Sequence, residues 1–395
     1  MIDKLKQECD NIRERLIIHR RFFHENAETG FDTQKSAKYI YDTLSSLGIE
    51  CRFIGKNGVL GKIISSGDKK TILLRADLDA LKIEEKTGLD FACKSGNMHA
   101  CGHDMHTAML LGCAELLAGM KESLSASVIF LFQPGEELLR GAKHMIDEGA
   151  LNGADCAVTV HVLTDSEIPT GSVLLSYDTP SAPSADFYKV TVKGKGCHGS
   201  SPSIGIDPIY ALCKIITTLD EIKTRELSIH EKFIMTQGYI HGGDNANVIP
   251  DTVSFGGSLR CFDEEARKYI KLRFEEITKG IAESLRCTAD IEYTSSCPCL
   301  INNRQFLDIT KNSLQKLLGQ DKVIVIKDTK SKIQGSEDFA YISQALPSVS
   351  IAIAAGRTSD GYSYPLHNPK AIFDENALIT GCMVFACNAL DTTAE

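Results

Sequence analysis

The densest cluster of side chains that could do chemistry lies in residues 98–107, Met-His-Ala-Cys-Gly-His-Asp-Met-His-Thr. It contains three histidines, one cysteine and one aspartate: His99, Cys101, His103, Asp104 and His106. Thiolate and imidazole are preferred ligands of zinc and similar divalent ions. A single glycine separates Cys101 from His103, so a tight loop would turn both toward one point. The segment predicts a metal site; the alternative is a loop with a buried cysteine and solvated histidines.

A pair of adjacent carboxylates, Glu136 and Glu137, closes the segment Gln133-Pro-Gly-Glu-Glu137, which directly follows an apolar segment that predicts a buried strand over 127–132. Ligand sites of α/β sheets lie at the carboxyl ends of strands, where this pair falls. Adjacent side chains point apart, so one glutamate could bind a metal while its neighbour holds the attacking water. The alternative is two exposed glutamates at a helix start, favoured by the helix dipole.

Two further histidines lie at the ends of predicted elements. His161 lies at the carboxyl end of the strand predicted over 156–162, one residue before its last, and His367 lies in a proline-rich loop between a strand and a helix. Alone, each is more often a histidine of the core or its rim. Together with the two segments above they supply about the number of ligands that a two-metal site needs.

Glycine-rich loops at 194–202 and 242–250 contain His198 and Asn247 and suit contact with a small ligand. Arg260 lies on a predicted strand of small and apolar residues, where its guanidinium could bind a carboxylate with two hydrogen bonds. The alternative is turn chemistry together with a surface arginine.

The elements that must position these residues alternate between strand and helix over the first part of the chain. This order, with near-continuous apolar strands, predicts an α/β fold with a mixed, largely parallel sheet flanked by helices. The predicted helices are 3–24, 33–47, 104–121 and 139–149, and the predicted strands are 58–64, 71–76, 127–132 and 156–162.

The pattern changes near residue 180, where prolines and serines cluster. The following order, β-α-β-β-α-β, predicts a ferredoxin-like α+β module. After it the chain returns to helices and strands of the first kind. We therefore expect a discontinuous catalytic domain, 1–182 and 297–395, with an inserted lid and dimerisation domain, 183–296.

Composition excludes several classes of protein. The 395 residues are 43% hydrophobic and 24% charged, which is globular composition and excludes a disordered, collagen-like or coiled-coil chain. The net charge of −9 argues against nucleic acid or an anionic membrane as the main partner. The 14 cysteines at irregular spacing, together with a charged start and no run long enough to span a membrane, favour a cytoplasmic protein with free thiols.

Taken together, six segments resemble the metallo-aminoacylase family of co-catalytic metallopeptidases, and within it the branch of hippurate hydrolases and auxin-conjugate amidohydrolases. The segments occur in order along nearly the whole chain, from about His24 to Leu378. They are Arg75-Ala-Asp-Leu-Asp-Ala-Leu81, Met98-His-Ala-Cys-Gly-His-Asp104, Gln133-Pro-Gly-Glu-Glu137, Asn247-Val-Ile-Pro250, Gly335-Ser-Glu-Asp-Phe339 and Leu366-His367.

The resemblance implies a two-metal, exopeptidase-like catalytic domain that hydrolyses N-acyl-L-amino acids. It implies two divalent ions, of zinc, manganese, cobalt or nickel, with the Cys101 thiolate bridging both. It implies Glu136 as general base, His198 reaching in from a partner subunit, and assembly as a homodimer, or a tetramer, through the inserted domain. The remaining residues it implies are the metal ligands His103, Glu137, His161 and His367, the substrate-binding Asn247, Arg260 and Gly335, and the supporting carboxylates Asp77 and Asp104.

The chain departs from the family pattern at a few positions. The wider family has a ligand histidine where this chain has Arg75, as its branch does, which leaves the orienting role of Asp77 open. Lys82 stands where proline is usual. Three alternatives remain: a metallo-dipeptidase or exopeptidase of the same family, a cysteine hydrolase with Cys101 as nucleophile, and a metal-binding protein without catalysis.

Overall fold

A computed structural model describes residues 2–66, 70–124, 126–164, 166–177, 180–327 and 335–391. They divide into two compact units. The first unit comprises the described residues of Met1–Ser181, Leu300–Lys332 and Glu337–Glu395, and the second those of Ala182–Cys299 and Ile333–Ser336.

Strands and helices alternate along most of the chain. The strands are β1 (Glu50–Ile54), β2 (Gly58–Ile63), β3 (Thr71–Asp77), β4 (Ser127–Gln133), β5 (Cys156–Leu163), β6 (Val173–Ser176), β7 (Ala185–Lys193), β8 (Cys197–His198), β9 (Phe233–His241), β10 (Val248–Ile249), β11 (Thr252–Cys261), β12 (Thr288–Cys297), β13 (Val323–Ile326) and β14 (Ser348–Ala354). The helices are α1 (Ile2–Asn11), α2 (Arg13–Glu25), α3 (Gln34–Ser46), α4 (His103–Gly119), α5 (Gly141–Asp147), α6 (Pro208–Glu221), α7 (Glu264–Ser284), α8 (Arg304–Leu318), α9 (Phe339–Ala345) and α10 (Ala377–Asp391).

The first unit is built on an eight-stranded sheet in the order β1-β2-β4-β3-β5-β14-β6-β13. β3 runs parallel to both β4 and β5, β14 runs parallel to β5, and β13 runs parallel to β6, whereas the β1–β2, β2–β4 and β14–β6 pairs are antiparallel. The predicted mixed, largely parallel sheet is confirmed.

Two apolar helices pack against this sheet. α4 and α10 are buried over nearly their whole length, and residues of both contribute to the main hydrophobic core. A helix that is apolar on all faces must be buried on all faces. β3 is likewise buried along its entire length, as expected for a central parallel strand.

The central parallel strands end at one edge of the sheet, and polar residues follow there. Asp77 ends β3, Gln133 ends β4, and His161 lies two residues before the end of β5. The carboxyl edge of an α/β sheet is where ligands bind in this class of fold. The sheet therefore brings the predicted functional segments of the first unit to a common edge.

The second unit is a four-stranded antiparallel sheet in the order β12-β7-β11-β9, with α6 and α7 forming a common core with it. β7, α6, β9, β11, α7 and β12 follow each other along the chain, which is the predicted ferredoxin-like order. β8 and β10 form a separate two-stranded ribbon that joins the two glycine-rich loops.

Some local predictions differ from the structure. The helix expected over 3–24 is two helices, because the backbone leaves helical geometry at the buried Ile12 (φ −98°, ψ 5°). β1 was not predicted, because it is a mostly exposed edge strand without an apolar pattern. Among the described residues, no helix is both long and apolar enough to cross a membrane.

Candidate metal centre

Cys101 and His103 are turned toward one point by the glycine between them. Gly102 adopts a left-handed conformation (φ 82°) immediately before α4, and any side chain there would collide with Val162. Only glycine combines this backbone conformation with such close packing at no cost. The tight loop expected between the two predicted ligands is therefore present, and both of their side chains are buried.

Backbone carbonyls fix the orientation of two imidazoles. Nδ1 of His103 lies 2.7 Å from the carbonyl oxygen of Asp79, and Nδ1 of His161 lies 2.8 Å from that of Val162. A carbonyl only accepts, so each Nδ1 carries the proton and donates it. Each Nε2 is then left with a lone pair that can bind a metal. Nε2 of His161 lies 3.5 Å from Sγ of Cys101.

His367 approaches from a separate loop. Its backbone N–H donates to the carbonyl of Ala100 at 2.9 Å, which ties this loop to the one that carries Cys101. Its Nε2 lies 3.4 Å from Oε1 of Glu137. His367 has a positive φ of 65°, which is uncommon for a residue other than glycine and is typical of functional loops.

The five predicted metal ligands form two triplets that share one sulfur. Cys101, His103 and His161 make one triplet, and Cys101, Glu137 and His367 make the other, with the ligand atoms in each within 4.8 Å of one another. The buried Nε2 of His103 and Oε1 of Glu137 make no hydrogen bond with any described residue. Buried polar atoms without partners are rare, and a divalent cation would satisfy both. The donor set of one thiol, three imidazoles and one carboxylate therefore fits two ions such as zinc.

Asp79, a residue for which the sequence indicated no role, fixes the two adjacent glutamates. Its carboxylate accepts the backbone N–H of Glu136 at 2.9 Å and that of Glu137 at 3.2 Å. Glu136 is buried, with Oε1 accepting from the N–H of Asp338 at 3.3 Å and Oε2 lying 3.9 Å from Nε2 of His103. The sequence signals for Asp79 were its position two residues after the end of a buried strand and its place in the family-like segment Arg75–Leu81.

Arg75 supplies a buried cation behind the centre. Its guanidinium bonds Asp77 at 2.9 Å and Asp338 at 2.7 Å, and lies 3.1 Å from Glu337. Glu136, Glu337 and Asp338 are close enough together to suggest another metal site, but the charge of Arg75 already faces two of them. This cluster therefore supports the centre without requiring a further ion.

Asp77 and His106 form a second supporting pair. Nδ1 of His106 lies 2.6 Å from Asp77, and its Nε2 accepts the backbone N–H of Val162 at 2.8 Å. Both nitrogens of His106 are thus occupied, so it has no lone pair left for a metal. Asp77 lies 3.8 Å from Nε2 of the predicted ligand His103.

Burial disfavours the charged forms of Cys101, Glu137 and His161. It raises the pKa of the Cys101 thiol, raises that of Glu137 to about 7 and lowers that of His161 to about 3. The nearby carboxylate of Asp77, by contrast, raises the pKa of His103 despite its burial. Burial and the carboxylates of Glu337 and Asp338 raise the pKa of Glu136 well above its ordinary value. A nearby divalent cation reverses this effect for acidic ligands, because it stabilises thiolate and carboxylate.

Asp104, predicted to support the ligands, is buried one residue after His103. Its Oδ2 accepts from Nε of Arg20 at 3.1 Å and lies 2.8 Å from Nδ1 of His24. Within the part of the chain that the structure describes, Asp104 makes no hydrogen bond to any of the five predicted ligands. His24 also contacts Glu85 at 3.1 Å, so Asp104 belongs to a buried ion-pair network.

The other predicted site residues belong to the second unit. His198 is exposed, with Nδ1 2.8 Å from the hydroxyl of Ser200. The carbonyl of Asn247 accepts the N–H of Gly199 at 2.7 Å, across the two glycine-rich loops.

Arg260 is half-buried in this second unit. It lies over the ring of Phe187, and its Nη1 donates to Ser336 at 2.9 Å, next to the predicted Gly335. Burial lowers the pKa of Arg260, so the guanidinium would gain from an anionic partner.

The fold and the centre together define a class: an α/β metalloenzyme with its donor groups at the carboxyl edge of a mostly parallel sheet. The family model described as Peptidase family M20/M25/M40 matches residues 73–391. The chain belongs to this family, and it is a metal-dependent hydrolase.

Curated relatives of similar length match almost the whole chain. The chain is 34% identical to thermostable carboxypeptidase 2 of Saccharolobus solfataricus, over 99% of this chain and 98% of that protein. It is 37% identical to N-acetyl-L-cysteine deacetylase of Bacillus subtilis, over 93% and 86%. It is 33% identical to IAA-amino acid hydrolase ILR1-like 2 of Arabidopsis thaliana, over 95% and 84%.

A solved structure of a dinuclear metal-binding peptidase of the M20 family from Bacillus subtilis is also similar. It superposes with a TM-score of 0.80 at 30% identity, covering 98% of this chain and 99% of that one. That structure is described as a dinuclear metal-binding peptidase, and this chain contains two triplets of possible ligands that share Cys101.

Proposed function

We propose that this protein hydrolyses the amide bond of N-acyl-L-amino acids. The observation that carries the proposal is the pair of ligand triplets sharing Cys101 with the buried carboxylate of Glu136 beside them. Two of the similar proteins are named as a deacetylase of an N-acetyl amino acid and as an amino acid conjugate hydrolase, which supports an acyl amino acid as substrate.

The metal ligands in this proposal are Cys101, His103, Glu137, His161 and His367. Divalent ions held by them supply Lewis acidity, which polarises an amide carbonyl and acidifies a water molecule. The thiolate and imidazoles suit zinc, and manganese, cobalt or nickel fit the same donors.

Glu136 moves the proton. Its Oε1 is engaged by the N–H of Asp338, so Oε2 is the oxygen that accepts a proton from the attacking water. The same oxygen then delivers the proton to the nitrogen of the leaving amino acid.

The second unit binds the substrate in this proposal. Arg260 pairs with the α-carboxylate of the amino acid, with Asn247 and Gly335 beside it. The exposed imidazole of His198, oriented by Ser200, polarises the scissile carbonyl from a partner subunit. These roles follow from the family resemblance and from the side-chain chemistry.

We further propose that the second unit joins two copies of the chain, in a homodimer or a tetramer. β9 is an edge strand of its sheet and leaves large apolar side chains exposed, including Ile234, Tyr239 and Ile240. An exposed apolar edge strand is a ready surface for pairing with a second chain. The 14 cysteines at irregular spacing favour a reducing compartment, which supports the cytoplasm as its location.

A carboxypeptidase or dipeptidase is the second candidate, because one similar protein is named a thermostable carboxypeptidase. A cysteine hydrolase is disfavoured, because burial raises the pKa of Cys101 and a nucleophilic thiol needs the opposite shift.

The experiment is to measure metal content after anaerobic purification and to assay N-acyl amino acids, N-blocked peptides and free dipeptides. Each assay is run with chelator and with metal added back. Hydrolysis of N-acyl amino acids that is lost to chelator and restored by metal is the expected result. Hydrolysis of peptides alone would favour the second candidate, and hydrolysis that survives complete metal removal would overturn both.

A further inference from the structure

A cavity of about 420 Å³ lies in the first unit beside the predicted metal ligand Glu137. Its apolar lining includes Phe31, Leu81 and Leu138, and two lysines, Lys56 and Lys82, also line it. This volume falls in the range of small-molecule pockets. An acetyl group would leave most of it unfilled, so the cavity suits a longer acyl chain.

The two lysines differ in their partners. The ammonium of Lys56 lies 2.9 Å from Asp32, which also lines the cavity, so their charges offset each other. Lys82 is exposed and has no hydrogen bond or ion pair with any described residue. The lining of the cavity apart from Glu137 therefore carries one uncompensated positive charge.

We propose that this cavity receives the acyl group of the substrate and that this group ends in a carboxylate, which pairs with Lys82. The proposal rests on the proposed function and specifies its substrate class: amino acids acylated by a dicarboxylic acid. The methylene chain lies against the apolar lining, and the terminal anion meets the unpaired ammonium at the solvent side. Water adds to the acyl carbon, the amide C–N bond breaks, and a free dicarboxylate and a free amino acid leave.

Two substrates of equal length distinguish the effect of the terminal charge of the acyl group from the effect of its size. They are the N-glutaryl derivative of an amino acid and the corresponding N-glutaramoyl derivative, in which a neutral amide replaces the terminal carboxylate. With the metal-loaded enzyme, kcat/KM for the glutaryl substrate should exceed that for the glutaramoyl substrate about fivefold, the upper range for an exposed ion pair. The preference should shrink in 1 M salt, because salt screens exposed charges.

Three variants complete the test. Lys82→Met should remove the preference by lowering kcat/KM for the glutaryl substrate, and Lys82→Glu should reverse the preference. Lys86→Met is the matched control, because Lys86 is exposed four residues further along and does not line the cavity. It should retain the full preference.

The outcomes separate this inference from the proposed function. Equal kcat/KM for the two substrates, or a preference that survives Lys82→Met, would overturn the assignment of Lys82 while N-acyl hydrolysis stands. If the metal-loaded enzyme hydrolyses neither these substrates nor any other N-acyl amino acid, the proposed function fails and this inference fails with it.

Discussion

Oδ1 of Asp338 lies 2.7 Å from Nη2 of Arg75, and both side chains are fully buried. The same carboxylate accepts hydrogen bonds from Gln133 and from the backbone N–H of Ala142. The backbone N–H of Asp338 in turn donates to Oε1 of Glu136. This single ion pair thus ties β3 to the start of α9 and, through the backbone, to the carboxylate proposed to move the proton.

Arg75→Met should lower the free energy of unfolding by about 3–5 kcal/mol, because it leaves Asp77 and Asp338 buried without their cation. Urea unfolding followed by circular dichroism measures this change. Arg225→Met is the control, since Arg225 is exposed and lies 4.0 Å from Glu221; it should change stability by less than about 0.5 kcal/mol. Equal effects of the two substitutions would contradict a structural role for the buried pair.

Glu136→Gln should retain both metal ions but lower kcat by at least about a hundredfold, the low end of general acid–base effects. The glutamine can still accept the N–H of Asp338, and neither triplet containing Cys101 includes Glu136. Metal analysis and steady-state kinetics on one preparation test both parts. Near-normal turnover in a fully metal-loaded variant would exclude Glu136 as the base.

Glu137→Gln provides the comparison for that variant. Glu137 belongs to the triplet with Cys101 and His367, so removing its charge should weaken metal binding as well as turnover. If Glu136→Gln keeps its metal ions and Glu137→Gln loses them, the two adjacent residues have different roles: Glu136 in proton transfer and Glu137 in metal binding.

In the first unit, candidate site residues were easiest to recognise where possible metal ligands and carboxylates lie together in a short segment of sequence. The loop 98–107, the two glutamates and the two isolated histidines were recognised as candidates from residue type and from their place next to predicted strands and helices. The structure brings the five predicted ligands together. Each segment alone allowed a purely structural alternative, and the ligand set as a whole came from the family resemblance.

The supporting contacts could not be predicted in the same way. Arg75 and Asp338 are 263 positions apart, and no local pattern links them. The carboxylate of Asp79 accepts hydrogen bonds from the backbone N–H groups of Glu136 and Glu137. Such contacts do not depend on which residue carries the N–H group, so the sequence does not reveal them. The cavity beside Glu137 depends equally on how distant segments pack.

Cys101→Ser should weaken the binding of both metals, because Cys101 is the residue that the two triplets share. The loss of affinity should exceed about tenfold, the low end found when only an outer partner of a ligand is removed. Cys93→Ser is the control: Cys93 is buried, and its sulfur already lies 3.1 Å from the hydroxyl of Ser95. Titration with a competing chelator measures both variants, and equal affinities would argue against a bridging thiolate.

His24 should make stability depend on pH on the alkaline side. Although burial acts in the opposite direction, hydrogen bonds to Asp104 and Glu85 raise the pKa of His24 from 6.5 to about 9. The folded state therefore binds this proton more tightly than the unfolded state. The stabilisation is fully present below pH 6.5 and is lost as the pH rises toward and through 9, with a total of about 3 kcal/mol.

Urea unfolding at pH 6 and at pH 9.5 measures this loss in the wild type. In His24→Gln the difference between the two pH values should shrink by most of that amount. His230→Gln is the control, since His230 is exposed, and it should show the wild-type pH dependence. A His24→Gln variant with the same pH dependence as the wild type would show that this imidazole is neutral in the folded protein.

Ile240→Lys should shift the protein from dimer to monomer if β9 is the edge that joins two copies. Ile240 is 57% exposed on this strand, and a lysine on an edge strand opposes pairing with another chain. Ile229→Lys is the matched control, because Ile229 is 95% exposed but lies before β9 begins. Light scattering coupled to size-exclusion chromatography gives the mass of each variant. If the Ile240→Lys variant is still a dimer, the interface lies elsewhere. If the wild type is itself a monomer, the proposed interface does not exist.

A monomeric Ile240→Lys variant with its metals intact but with reduced turnover would further indicate that the partner subunit contributes to catalysis, as proposed for His198.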